Sequence, residues 1–349
     1  MTTAYQFEEL EHRVSAAIAA ADPAVFDALA LDVFRFQRAF NFPYDQYCRL
    51  LGVIDDLADW RQIPAVPQAA FKHAALRTFD AKAQVATFRT SGTTGEGYGQ
   101  HHFRSMRLYE EAVLRGWDLL ALPPLPQIIL IPTPAAAPHS SLSYMMGALK
   151  ARAFRGEQHW CIAPDGSLDL NRLKSLLENF ATVNTPVLIL GTALAFLHLF
   201  ESIQLLTLPA GSLAFETGGY KGSGRSLSKE ALYQMFRDRL ALAPSDIINE
   251  YGMTELSSQC YSRGLGRPHV APPWVRTVVT NPTTGLEVPD GETGLLRIYD
   301  LANLGSVLAI QTRDLAIRRG ADFELLGRDP AALPRGCSRA ADEMLTASS

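Results

Sequence analysis

The chain has 349 residues, 47% of them hydrophobic and 19% charged, enough apolar material for a substantial core that needs no disulfide or structural metal. Its 32 basic and 36 acidic side chains give a formal net charge of −4. The basic ones are scattered rather than striped, which argues against a nucleic-acid partner or an acidic membrane surface.

From the amino terminus, Val14 and Ile18, then Phe26, Leu29, Val33, Phe36 and Phe40, recur at helical spacing, with Asp22-Pro23 marking the break between two helices. Pro43, Pro64 and Pro67 punctuate an irregular connection. Beyond it, short β-prone runs at Gln127 to Ile131, Pro186 to Leu190, Leu213 to Glu216 and Asp246 to Ile248 alternate with helical candidates. The helices are expected over Ser105 to Leu120, Ser140 to Ala153, Asp169 to Phe180, Thr192 to Leu205 and Lys229 to Leu240. Such alternation predicts an α/β sheet covered by helices. After Tyr261, the turn pairs Asn281-Pro282 and Asp290-Gly291 separate β-rich runs at Val278 to Thr280, Leu295 to Tyr299 and Leu308 to Gln311, predicting a smaller antiparallel lobe. The expected organisation is a helical region over 1–85, an α/β nucleotide-binding core over 86–260, a β-rich lobe over 261–326 and a short tail over 327–349. No apolar run approaches the length of a membrane span. Glu8, Glu9 and Glu11 stand where a signal peptide would be basic and then apolar. Cys48, Cys161, Cys260 and Cys337 show neither metal-site spacing nor a paired framework, so a reducing cytoplasm is the expected setting.

Two segments carry the chemistry. In Thr90-Ser91-Gly92-Thr93-Thr94-Gly95, small and hydroxyl residues let backbone N–H groups and hydroxyls wrap around phosphate oxygens. The loop lacks the Gly-Lys-Ser/Thr ending of a P-loop, so it is not of that type. The second segment is Asn249-Glu250-Tyr251-Gly252-Met253-Thr254-Glu255. Taken alone, a Ser/Thr/Gly loop makes a turn, Glu255 reads as a helix-start carboxylate, and Cys337 as a tail cysteine without a task. The pair together resembles the signature motifs of the adenylate-forming superfamily. Ile310-Gln311-Thr312-Arg313-Asp314 and Gly327-Arg328-Asp329 resemble its ribose-binding and hinge segments. Within it, Glu216-Thr217-Gly218-Gly219-Tyr220-Lys221-Gly222, Pro138-His139-Ser140-Ser141-Leu142 and Arg335-Gly336-Cys337-Ser338 resemble the acyl-protein synthetases, the fatty-acid-activating subunits of bacterial fatty-acid reductase systems. The resemblance runs from about Phe40 to Met344.

It implies the α/β fold of the large N-terminal domain of adenylate-forming enzymes with a smaller β-rich lobe, and a chain lacking the mobile C-terminal domain that follows the hinge elsewhere in the superfamily. It implies ATP and Mg2+ as cofactors, a fatty acid as substrate, and an acyl-CoA-reductase-like protein as partner. Glu255 would hold the metal and Thr254, with the Thr90, Ser91, Thr93 and Thr94 hydroxyls, the phosphates. Gly92 and Gly95 belong to the same loop. Gly218 and Gly219 would admit the flat base closely, and Tyr251, within Asn249 to Gly252, would stack on it. Asp314 would accept from the ribose hydroxyls and Arg328 would contact ribose or phosphate. Cys337, flanked by Arg335 and Arg339, would take the acyl group as a thioester. The loop lacks the family's usual lysine, and Lys221, Arg104 and His101 are the candidates to supply its charge. Two further readings stand beside this one: an adenylating enzyme that passes its acid to an amine, coenzyme A or carrier protein, and a non-catalytic nucleotide-binding scaffold.

Overall fold

The structure is a computed structural model and describes residues 3–53, 56–90, 98–218 and 227–328. Its helices are α1 (Thr3–Ala20), α2 (Phe26–Phe40), α3 (Phe42–Leu50), α4 (Arg107–Leu119), α5 (Ser141–Ala148), α6 (Leu170–Thr182), α7 (Ala193–Ser202) and α8 (Lys229–Leu240). The strands are β1 (Val66–Pro67), β2 (Ala86–Arg89), β3 (Gln100–Phe103), β4 (Gln127–Ile129), β5 (Gln158–Trp160), β6 (Leu188–Thr192) and β7 (Leu213–Thr217). They continue as β8 (Ile247–Tyr251), β9 (Cys260–Arg263), β10 (Val275–Thr280), β11 (Thr293–Asp300), β12 (Ala309–Arg319) and β13 (Asp322–Arg328). The described chain divides into two compact units, one from residues 3–119, 253–259 and 270–328, the other from 120–252 and 260–269.

The first unit gathers the amino-terminal helices and the carboxyl-terminal strands. Asp22 caps the break between α1 and α2 by accepting from Ala24 N, and α2 buries Phe26, Leu29, Val33, Phe34 and Phe36 on one face. Two polar side chains on that side fasten the helices to the far end of the sequence. Gln37 donates to Asn303 O at 3.0 Å and Leu304 O at 3.3 Å and accepts from Leu308 N at 2.8 Å, while Asn41 donates to Ser306 O at 3.1 Å. Phe26 packs edge-on against Trp60, and Trp60 against Tyr299. The sheet runs β1-β12-β11-β10, with β13 also on β12; β1 is parallel to β12 and the other pairs are antiparallel. Thus the helical stretch expected over 1–85 and the β-rich run expected over 261–326, from residue 270 on, fall in one unit, while residues 261–269 fall in the other. A separate hairpin, β2-β3, completes it.

The second unit is a six-stranded sheet in the order β5-β4-β6-β7-β8-β9, parallel except for β9. The inner strands β6, β7 and β8 begin as apolar runs and are buried on both faces, as a parallel sheet between helices demands. Ile128, Ile189, Ala214 and Ile247 lie side by side across β4, β6, β7 and β8, and α6, α7 and α8 cover them with Leu173, Leu177, Phe196, Phe200, Phe236 and Leu240. Met145, Met146, Phe196 and Phe215 are core residues. At the carboxyl ends of β7 and β8 the apolar runs give way to buried Glu216, Thr217, Asn249 and Glu250. Ligands bind at such strand ends in parallel α/β sheets.

Candidate active site

In the first unit, the loop between β2 and β3 is closed at its base. Thr90 N donates to Gly99 O at 2.9 Å, and Gly99 N donates to the Thr90 hydroxyl at 2.9 Å. A Cβ on Gly99 would sit 3.0 Å from Thr90 Cγ2, so glycine permits this closure. Ser91, Gly92, Thr93, Thr94 and Gly95 lie outside the described residues.

The Thr254-Glu255 segment is fixed beside that hairpin. His101 on β3 places Nδ1 2.9 Å from Thr254 O; a carbonyl only accepts, so the ring donates from Nδ1. Burial pushes the His101 pKa down to about 4, which leaves it neutral near pH 7. His101 therefore does not supply the loop's missing charge. Arg104 lies over the Phe7 ring at 4.7 Å and 3.6 Å from Glu8, and Lys221 is outside the described residues. The Thr254 hydroxyl makes a long 3.5 Å contact to Arg89 O, next to Thr90. Glu255 is 3% exposed; Gln68 Nε2 donates to its Oε1 at 3.1 Å and Asn303 Nδ2 to its backbone oxygen at 3.0 Å. Asp300 anchors the rest of the segment, accepting from Ser257 N, Ser258 N, the Ser258 hydroxyl and Ala302 N at 2.7–3.0 Å. Its burial raises its pKa from the usual 3.8 to about 6 against the pull of those donors. On the strand pair β12-β13, Asp314 faces Arg328 in register, with 3.8 Å between carboxylate and guanidinium.

In the second unit, Gly218 follows β7 with φ +66°, a left-handed conformation that favours glycine. Gly219 is outside the described residues. The Glu250 carboxyl takes a short hydrogen bond from the Thr217 hydroxyl, and burial, helped by the nearby Glu216 charge, raises its pKa to about 7. The Asn249 side chain is enclosed by Glu216, Lys229 and His269. The Tyr251 ring meets His269 edge-on, 6.1 Å between centroids. Gly252, exposed, ends the part of the motif in this unit, and the peptide bond to Met253 carries the chain into the other.

Among the described residues no group of three or more His, Cys, Asp or Glu gathers into a metal cage. A single oxygen ligand such as Glu255 still fits magnesium, which takes one or two protein carboxylates and completes its shell with phosphates and water. Cys337 lies outside the described residues, while Cys48, Cys161 and Cys260 are buried, as small hydrophobes would be. Burial drives the Cys161 thiol up to about 11. Of the residues that hold the motif in place, sequence reasoning missed Gln68, Asp300 and Asn303 and gave His101 a different task, because each acts through partners far away in the chain. No helix among the described residues is long and apolar enough to cross a membrane.

A parallel sheet with polar strand ends, joined in sequence to a Thr254-Glu255 segment held against the hairpin of a Ser/Thr/Gly loop, defines the adenylate-forming fold. Solved structures agree. A 2-hydroxyisobutyryl-CoA ligase, solved with 2-HIB-AMP and CoA in the thioesterification state, superposes with a TM-score of 0.62 at 15% identity, over 87% of this chain and 68% of that one. ATP-bound MatB from Rhodopseudomonas palustris superposes with a TM-score of 0.50 at 16% identity over 72% of this chain, which spans 49% of MatB. Residues 17–346 match the family described as acyl-protein synthetase, LuxE, and the chain belongs to that family. A long-chain-fatty-acid–luciferin-component ligase of Vibrio harveyi is 23% identical over 337 residues, covering 91% of this chain and 88% of that protein.

Proposed function

We propose that the chain activates a fatty acid with ATP and carries the acyl group as a thioester on Cys337 for delivery to a reductase. The carboxylate oxygen attacks the α-phosphorus, the bond to the β-phosphate bridge breaks, and pyrophosphate leaves. The Cys337 thiolate then attacks the acyl carbon, the bond from that carbon to the bridging oxygen breaks, and AMP leaves carrying the oxygen that came from the acid. Like charges meet in the first step, so the site must aim donors at the phosphates before reaction. Thr254 and the hydroxyls and backbone of Thr90 to Gly95 take that role. Glu255 would hold Mg2+, which when bound offsets phosphate charge. Asp314 and Arg328 serve the ribose side; Gly218, Gly219 and the Asn249 to Gly252 segment serve the base, with Tyr251 as the stacking ring. A cytoplasmic setting fits a thiol carrier.

The observation that supports this reading most is the junction of Thr254 and Glu255 with the base of the Thr90 loop, made by residues about 150 positions apart. The test is the intact mass of the protein after incubation with ATP, Mg2+ and a panel of fatty and aromatic acids, beside Cys337→Ser. An ATP-dependent, hydroxylamine-sensitive acyl adduct on the wild type alone is expected. Pyrophosphate release without an adduct would assign the chain instead to enzymes that pass the acid to an external acceptor, and neither product would point to a scaffold.

A further inference from the structure

The second unit holds a buried polar knot in which the family pattern gives Lys229 and His269 no role. The Asn249 amide lies at its centre. Its Nδ2 donates to Glu216 Oε1 at 2.8 Å and to Glu216 O at 3.2 Å, while its Oδ1 accepts from Lys229 Nζ at 2.5 Å and from His269 Nε2 at 2.7 Å. Only this orientation works, since the amine must face the carboxylate and carbonyl and the oxygen must face the ammonium and imidazole. An amide has two protons and two lone pairs, so the four contacts saturate it.

The knot ties together four pieces of chain. Glu216 lies near the end of β7, two residues before Gly218; Asn249 lies near the end of β8, two before Tyr251; Lys229 opens α8; and His269 follows β9. Glu216 is buried, and Lys229, 37% exposed, stands 3.6 Å from it as the counter-ion a buried carboxylate requires. Burial and the nearby Lys229 charge push the His269 pKa down to about 3, so the ring is neutral and carries its proton on Nε2. The same ring is the edge contact of Tyr251.

We propose that Lys229 and His269 are positioning residues for the nucleoside: by holding the Asn249 amide they fix the ends of β7 and β8 and the Tyr251 ring. The inference rests on the adenylation reading, in which Tyr251 and Gly218 flank the base. Loss of either donor loosens one binding subsite, so it acts on ATP affinity and leaves the acid's binding untouched.

The test is ATP–pyrophosphate exchange with Lys229→Met and His269→Leu, beside the rescue variants Lys229→Arg and His269→Gln, which keep a donor in place. The first pair is expected to raise the KM for ATP about tenfold with kcat within about threefold and the KM for the acid unmoved; the second pair restores most of the loss. Lys229→Met combined with Asn249→Ala is expected to be no worse than Asn249→Ala alone, because both act through one amide. Additive losses, or melting temperatures that fall while the KM for ATP stays put, overturn the proposal and leave the knot a fastener of the fold. Lys229 is part-exposed, so its variants keep the test open if Asn249→Ala fails to fold. A wild type that exchanges no pyrophosphate with any acid overturns the functional reading and the proposal with it.

Discussion

Gln37→Met is the sharpest probe of how the amino-terminal helices are fastened to the segment that anchors Glu255. Methionine keeps the length of the side chain and fills the site, so little cavity is made. What is lost is electrostatic: Leu308 N loses its acceptor at 2.8 Å, and the carbonyls of Asn303 and Leu304 lose a donor at 3.0 and 3.3 Å. An orphaned buried donor costs about 1–3 kcal/mol and carbonyls with a second lone pair less, so the change is worth about 2–4 kcal/mol. The local readout is amide exchange at Leu308, which should speed up roughly 30- to 1000-fold if that free energy appears in local opening. Asn303 carries both a lost contact and the donor to Glu255 O, so pyrophosphate exchange should weaken as well. Exchange at Leu308 within about threefold of wild type would refute the reasoning, because it would mean that Leu308 N finds another acceptor.

Asp300 gives a pH dependence with a definite sign. Its folded pKa of about 6 lies above the usual 3.8, so between these values the folded chain holds a proton that the unfolded chain has released. The group's contribution to stability is present at the acid end and falls by about 3 kcal/mol as pH rises through 6. Denaturation of Asp300→Asn from pH 4 to 6 should show that slope removed, and an unchanged slope would count against a buried, proton-holding Asp300. Gln68→Leu takes away the donor to Glu255 Oε1. Groups that orient a metal-binding carboxylate matter by roughly 10- to 100-fold, so under the proposed role of Glu255 as the magnesium ligand the Mg2+ needed for half-maximal pyrophosphate exchange should rise by that order; an unaltered Mg2+ dependence would exclude Gln68 from orienting the carboxylate.

The alternation of apolar strands and amphipathic helices was legible because it is local. Runs expected at Gln127, Pro186, Leu213 and Asp246 coincide with β4, β6, β7 and β8, and Lys229 to Leu240 is α8. The departures have a common cause. β7 and β8 run on into Thr217 and Tyr251, past where the apolar pattern stops, because their last residues are buried polar groups paired with one another. Among the strands that escaped notice, β2, β3, β5 and β13 are rich in His, Gln, Arg or Asp and carry little alternation. The joining of α2 to residues 303–308 was hidden for another reason: Gln37 and Asn41 are polar residues, a type mostly found at the surface, yet here they are buried links of the unit.

The site divides along the same line. The residues proposed to meet the nucleotide stand in short contiguous motifs, because a loop built to wrap phosphates is made from neighbours in sequence, and such motifs can be read. Its supports cannot, since they reach the motif through main-chain atoms. His101 and Asn303 take the carbonyls of Thr254 and Glu255, and Asp300 takes the amides of Ser257 and Ser258. Anchoring the backbone orients the Thr254 and Glu255 side chains without occupying them at those points, which is how a polar site is preorganised for charge that develops only on reaction. A neutral His101 suits that task, since its proton on Nδ1 holds Thr254 while the ring adds no positive charge beside the motif. The supports should therefore tolerate exchange for any residue that presents a donor at the same point, whereas Glu255 should tolerate none that lacks its oxygens.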